Sequence, residues 1–193
     1  MINTGVFLVQ TVFGLYMMLV IIRFMLQLAK ADFYNPLAQT VVKLTQPFIG
    51  PLQKMLPRTG RFSLASLVLA FIVQLVVIVL VLLIVGFELP NPLILASWSL
   101  VGVASQVLDL LFFAILASIV LSWIAPQGNH PGVYLLHQLT EPVMAPARRV
   151  LPNFGGLDFS PIVVFIGINL LNMLVVESLA QTFGMPRGLV MGL

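Results

Sequence analysis

The 193-residue chain has no cysteine, which excludes disulfides, thiolate nucleophiles and Cys-based zinc or iron–sulfur sites. Charge is nearly as scarce: Lys, Arg, Asp and Glu make up 8% of the residues, roughly a third of the share usual in soluble domains. There are two histidines, and no nucleotide-binding glycine loop, HExxH or GxSxG pattern occurs, so no catalytic constellation is expected. Met1 to Gln10 lacks Lys and Arg, and no small-x-small site follows, so the N-terminus reads as an uncleaved helix and not as a secretory signal.

Apolar residues are abundant, at 60%. Four stretches approach the roughly 20 residues that a hydrocarbon core requires: Val6 to Leu28, Leu64 to Gly86, Gly102 to Ile124 and Ile162 to Phe183. Leu64 to Gly86 is the clearest, with only Ser66 and Gln74 as polar side chains, whereas Asn169 and Asn172 dilute the last. Before the third span the apolar chain extends back to Pro92, and a helix from there to Ile124 would be about 50 Å long. Either that helix is strongly tilted, or Pro92 to Val101 lies at the outer surface with Trp98 in the aromatic belt. Trp123 would mark the opposite boundary.

Two loops repeat one another. Pro36 to Gly60 reads PLAQTVVKLTQPFIGPLQKMLPRTG and Pro131 to Gly155 reads PGVYLLHQLTEPVMAPARRVLPNFG, an offset of 95 residues without a gap. Leu44, Thr45, Pro47, Pro51, Leu56 and Pro57 meet Leu139, Thr140, Pro142, Pro146, Leu151 and Pro152. The fold class expected is all-α integral membrane. Its four transmembrane helices form two parallel two-helix repeats, residues 1–90 and 91–193, with amphipathic Pro-rich cytoplasmic loops. Lys30, Lys43, Lys54, Arg58 and Arg61 fall in the first loop and Arg148 and Arg149 in the third. The N-terminus and second loop have none, and only Arg187 lies in the C-terminal tail. This bias places both loops in the cytoplasm and both termini outside, and favours anionic lipid headgroups over nucleic acid as partners.

Within each loop the prolines are expected to cut the chain into short helices: Pro47 and Pro142 interrupt the first, and Pro57 and Pro152 stop the second. Asn35-Pro36 and His130-Pro131 look like helix starts. Val41, Leu44, Phe48, Leu52 and Met55 recur at helical spacing with Lys43 and Lys54 elsewhere on the turn, as in a segment lying in the headgroup plane. A re-entrant hairpin is the other reading, less favoured because neither half is apolar all round.

Polar residues at membrane depth are the candidate sites. Arg23, with Gln27 one turn on, either snorkels to headgroups or makes a structural contact inside the bundle; the repeat equivalents are Ser118 and Ser122. Gln74 and Asn169, themselves 95 apart, with Asn172 beyond, are expected to face that polar surface and bridge helices. Asp109 and Glu177 read as boundary charges or as parts of an ion path. His130, His137 and Glu141 are too weakly patterned for a metal site, and no cofactor is expected.

LTQPFIGPLQKMLP (Leu44 to Pro57), LTEPVMAPARRVLP (Leu139 to Pro152), GGLDFSPIVVF (Gly155 to Phe165) and LSW (Leu121 to Trp123) resemble the signature of the YggT family of bacterial integral membrane proteins, whose relatives include YlmG. Arg23 matches the family's first-helix arginine in the first copy, and Leu121, Ser122 and Trp123 match its L-S-W helix end in the second. The resemblance implies connections with osmotic or potassium homeostasis, and in plastid relatives with assembly of a membrane cytochrome complex or with nucleoid distribution. The resemblance also implies a multi-pass protein of the bacterial inner membrane, and the function expected is a non-enzymatic inner-membrane scaffold or assembly factor. It would engage lipid and a membrane-protein partner, or a second copy, through Lys54, Arg148, Arg149 and the Pro47 and Pro142 loops. The alternative is a small channel, transporter or regulator of ion uptake built around Arg23, Gln74, Asn169 and Asn172.

Overall fold

A computed structural model describes residues 4–57, 63–124, 130–150 and 158–189. Arg58, Gly60, Arg61, Leu151, Pro152 and the Gly155–Leu157 run lie outside the described residues. In chain order the helices are α1 (Thr4–Leu28), α2 (Pro36–Met55), α3 (Leu64–Val85), α4 (Pro92–Ile124), α5 (Pro131–Val150) and α6 (Ser160–Leu171). A π-helical stretch, Asn172–Glu177, and a final turn, α7 (Ser178–Thr182), continue α6. The described chain is all-α, and α1, α3, α4 and the Ser160–Thr182 stretch are each long and apolar enough to cross a membrane.

Local chemistry starts these helices where the sequence breaks. Asn35 Oδ1 accepts from Leu37 N at 2.9 Å ahead of Pro36, and Asn91 Oδ1 does the same for Leu93 N at 2.9 Å. His130 Nδ1 accepts from Gly132 N at 3.1 Å, and Asp158 Oδ1 from Ser160 N at 2.9 Å. Each side chain satisfies a first-turn donor that has no partner within the helix. At the other end of α3, Gly86 adopts φ 82°, and its N–H and that of Phe87 both reach Leu82 O at 3.0 Å. That left-handed cap needs a residue without Cβ.

Two expectations are corrected. Pro47 and Pro142 do not interrupt their helices: α2 and α5 are each one 20-residue helix with two internal prolines, Pro47 and Pro51 or Pro142 and Pro146. All four prolines are exposed. The carbonyls they leave without an N–H therefore lie on the side open to water or headgroups, while the opposite face packs on the bundle. Pro57 does follow the end of α2, with Leu56 already extended before it. Next, Pro92 to Val101 is no separate surface segment but the start of the 33-residue α4. Trp98 leaves the aromatic belt for the interior, 6% exposed, with its indole N–H donating to Phe183 O at 2.9 Å. The fourth span is helical throughout, with its ladder widened to π geometry over Asn172–Glu177.

α3 packs against α1, α2 and α4, and α5 against α4 and α6. Two apolar clusters form the core. Toward the α2/α5 end, Met17, Ile21 and Phe24 meet Leu69, Ile115, Ile49 and Leu139. Toward the terminal end, Val77, Ile78 and Val81 surround Trp98 and Leu189.

Candidate functional site

Arg23 is 3% exposed, so its head stays inside the protein and does not snorkel to headgroups. From α1 it donates to three acceptors on α2: Thr45 Oγ1 at 2.8 Å, Gln46 Oε1 at 2.7 Å and Val42 O at 3.3 Å. Thr45 Oγ1 in turn donates to Val41 O at 2.7 Å. A guanidinium reaching one helical turn of a neighbour with a charge-assisted fork fixes both distance and register. Nearby, Phe48 meets the Tyr16 ring edge-on at 5.6 Å. The clamp therefore holds α2 to α1 just ahead of Pro47.

The second loop is held differently. Gln46 corresponds to Glu141 at the 95-residue offset, and Glu141 takes its cation from its own helix: Arg148 Nη1 donates to both carboxylate oxygens at 3.0 Å. Arg148 Nε also donates to Asp158 Oδ2 at 3.2 Å, tying α5 to the start of α6. Burial lowers the affinity of the Arg148 head for its proton, but the two carboxylates outweigh it and the net shift is upward. Burial would raise the Asp158 carboxyl, yet hydrogen bonds from Ser160 and the adjacent Arg148 hold it below the usual carboxylate range. Two further bonds join the loops to each other: Asn35 Nδ2 to Pro131 O at 2.7 Å, and Asp32 N to Gln138 Oε1 at 2.9 Å.

On α2 the apolar stripe divides. Ala38, Val41, Thr45 and Ile49 are buried and Leu52 packs on the core, whereas Leu37, Leu44, Phe48 and Met55 are exposed along one flank. Lys43 and Lys54 are exposed about a third of a turn from that flank. Arg149 is exposed at the end of α5. Of the loop cations expected to meet a partner, Arg148 is occupied within the fold; Lys54 and Arg149 make no ion pair among the described residues.

The polar layer at mid-span has a composition the sequence did not indicate. Gln74 is 1% exposed and its Oε1 accepts from Gln106 Nε2 of α4 at 2.8 Å. Gly102 makes room for it: a Cβ there would stand 2.8 Å from Gln74 Nε2. Arg23 and Asn169 are not brought to Gln74. Gln27 instead accepts from Ser66 Oγ at 3.3 Å, and exposed Asn169 donates back to Phe165 O at 2.8 Å. Asn172 starts the π stretch with a buried Oδ1 that has no hydrogen-bond partner among the described residues. Gln106 was missed, although a glutamine one turn from Gly102 and three residues before Asp109 is a signal in an otherwise apolar span. Glu141 bonds Arg148 and not a histidine, and no group of three or more metal-ligating side chains gathers among the described residues.

The CCB3/YggT family model matches the chain twice, over residues 2–84 and 97–179. A protein of Pseudomonas aeruginosa described as uncharacterized is 44% identical over 97% of this chain and 95% of its own. The protein of the proC 3′ region of Vibrio alginolyticus is 44% identical over 90% of this chain and 94% of its own. YggT of Escherichia coli K12 is 39% identical over 95% of each. No solved structure matches. Two tandem matches covering most of a four-span helical chain leave one assignment: this protein belongs to the CCB3/YggT family.

Proposed function

We propose that this protein is a non-enzymatic inner-membrane scaffold or assembly factor, with α2 and α5 as its working surface. The reading takes residues 1–90 and 91–193 as parallel copies of one YlmG-like unit, with α2 and α5 on the cytoplasmic side and both termini outside. The observation that carries it is the construction of α2. One face is locked to the bundle through Arg23, while Leu37, Leu44, Phe48 and Met55 remain exposed alongside Lys43 and Lys54. An amphipathic helix of this kind, at the membrane boundary, suits acyl chains on the apolar flank and anionic headgroups at the lysines. The bonds from Asn35 to Pro131 and from Asp32 to Gln138 make α2 and α5 one platform for a membrane-protein partner.

The alternative, a small channel, transporter or regulator of ion uptake, is favoured by one observation: Gln74, Gln106 and Asp109 line a common cavity at membrane depth. The test is in vivo crosslinking at native expression followed by mild detergent extraction, comparing the wild type with a K43A/K54A/R149A variant. Arg148 is left intact because it holds Glu141 and Asp158. One stoichiometric partner lost in the variant supports the scaffold. Absence of any partner, together with ion flux in liposomes, supports the alternative.

A further inference from the structure

Most polar side chains at spanning depth are turned inward: Arg23, Ser66, Gln74, Ser99 and Ser105 are all buried. Asn169 departs from this. It lies near the middle of the 23-residue Ser160–Thr182 span and is exposed. Its Nδ2 donates back to Phe165 O at 2.8 Å, which leaves Oδ1 and the second amide hydrogen unmet among the described residues. Acyl chains offer neither donor nor acceptor, so an open amide at this depth is costly. The helix around it is thinly covered, since in α6 only Ser160 and Ile168 are buried. Ile162, Ile166, Asn169 and Met173 follow the three- and four-residue spacing of one helix face, and all four are exposed. From Ser160 to Val176 the sequence carries no charged residue.

We propose that this stripe is the contact between two copies of the chain, with a two-fold axis along the membrane normal passing beside Asn169. Each Asn169 Nδ2 gives its second hydrogen to the Oδ1 of the same residue in the other copy. An amide is donor and acceptor at once, so a copy of the same face meets both needs in one isologous contact. Ile162, Ile166 and Met173 pack on either side of the amide pair, the van der Waals term that drives helix association in lipid. The chain already uses amide-to-amide bridging between its two matched stretches, where Gln74 Oε1 accepts from Gln106 Nε2 at 2.8 Å. Gln74 stands 95 residues before Asn169, so the second stretch carries the same device without a partner inside the chain. A helix recognised by charge would find nothing to pair with on this stripe. The contact needs only that Ser160–Thr182 spans the membrane, and it stands apart from the α2/α5 reading.

The test places a benzophenone amino acid at Ile162, Ile166 or Met173 of the full chain in native membranes. Leu171, exposed on the opposite face, is the control position. Illumination should give a product of twice the chain's mass from the first three positions and not from Leu171. Two differently tagged copies should co-purify in that product, and the crosslinked peptides should map to Ile162–Met173. In liposomes N169L should weaken dimerisation about tenfold, the scale of two interhelical amide bonds in lipid, read by energy transfer between donor- and acceptor-labelled chains. N169Q, which keeps the amide, should restore most of it. The crosslinking pattern of the chain with Asn169 intact serves if N169L does not fold. Lipid adducts alone, a product with a different protein, equal crosslinking from Leu171, or folded N169L that dimerises like the wild type overturns the proposal.

Discussion

Arg23 shows how one residue can set the relation of two helices. A lone arginine inside an apolar span is compatible with snorkelling, but here the head is turned into the protein and meets Thr45, Gln46 and the Val42 carbonyl. Replacing it with alanine strands those acceptors. We expect R23A to lose about 1.5–3 kcal/mol, the range for hydrogen bonds to a charged group, read as a lower unfolding midpoint in detergent. R23K keeps the charge but not the fork, and should recover less than half of the loss. A midpoint for R23A equal to wild type would return Arg23 to the headgroups. At the position 95 residues on stands Ser118, and Glu141 is bonded by Arg148 instead. Each Pro-rich helix is thus tied down by an arginine, from α1 for α2 and from within α5 itself.

At the scale of the element, α2 and α5 stay helical despite two internal prolines each. An internal proline costs a helix roughly 3 kcal/mol, so burial of the opposite face must offset it. P47A and P51A restore a backbone donor on an exposed face, and each should raise the unfolding midpoint. A fall in either would mean that the proline ring makes a packing contact. The junction of α5 and α6 should respond to acid. Asp158 has a depressed carboxyl, so its contribution is full above the unfolded value near 3.9 and is lost as pH falls through the lower folded value. D158N should flatten that acid limb. The effect should stay below about 1 kcal/mol, because the Arg148 and Asp158 side chains are 42% and 49% exposed.

At the scale of the whole molecule, the two matched stretches are alike in sequence but not in packing. Gln74 of the first crosses to Gln106 of the second, whereas its counterpart Asn169 turns back on Phe165. The chain has no cysteine, so its orientation can be read with single substitutions at exposed sites. K54C should react with a membrane-impermeant maleimide only after permeabilisation of the cytoplasmic membrane, and E88C before it. The reverse pattern would overturn the placement of the α2 side in the cytoplasm.

The sequence alone determined the four spans, the helix starts at Asn35 and His130 and the loop repeat, because length, apolar content and capping are local properties. Arg23, Gln74, Asn169 and Asn172 were visible as polar residues at depth, but their partners were not. Which acceptor an arginine meets depends on how a neighbouring helix is rotated and set back. The same holds for the continuity of α2 through Pro47: proline lowers helix propensity locally, and only burial of Val41, Thr45 and Ile49 outweighs that cost. Trp98 repeats the point, since an indole suits a membrane interface until Phe183 offers it an acceptor inside. Spans and caps are written along the chain; the Arg23 clamp, the Gln74–Gln106 pair and the cavity exist only once separate helices meet, because each is made of groups from different segments.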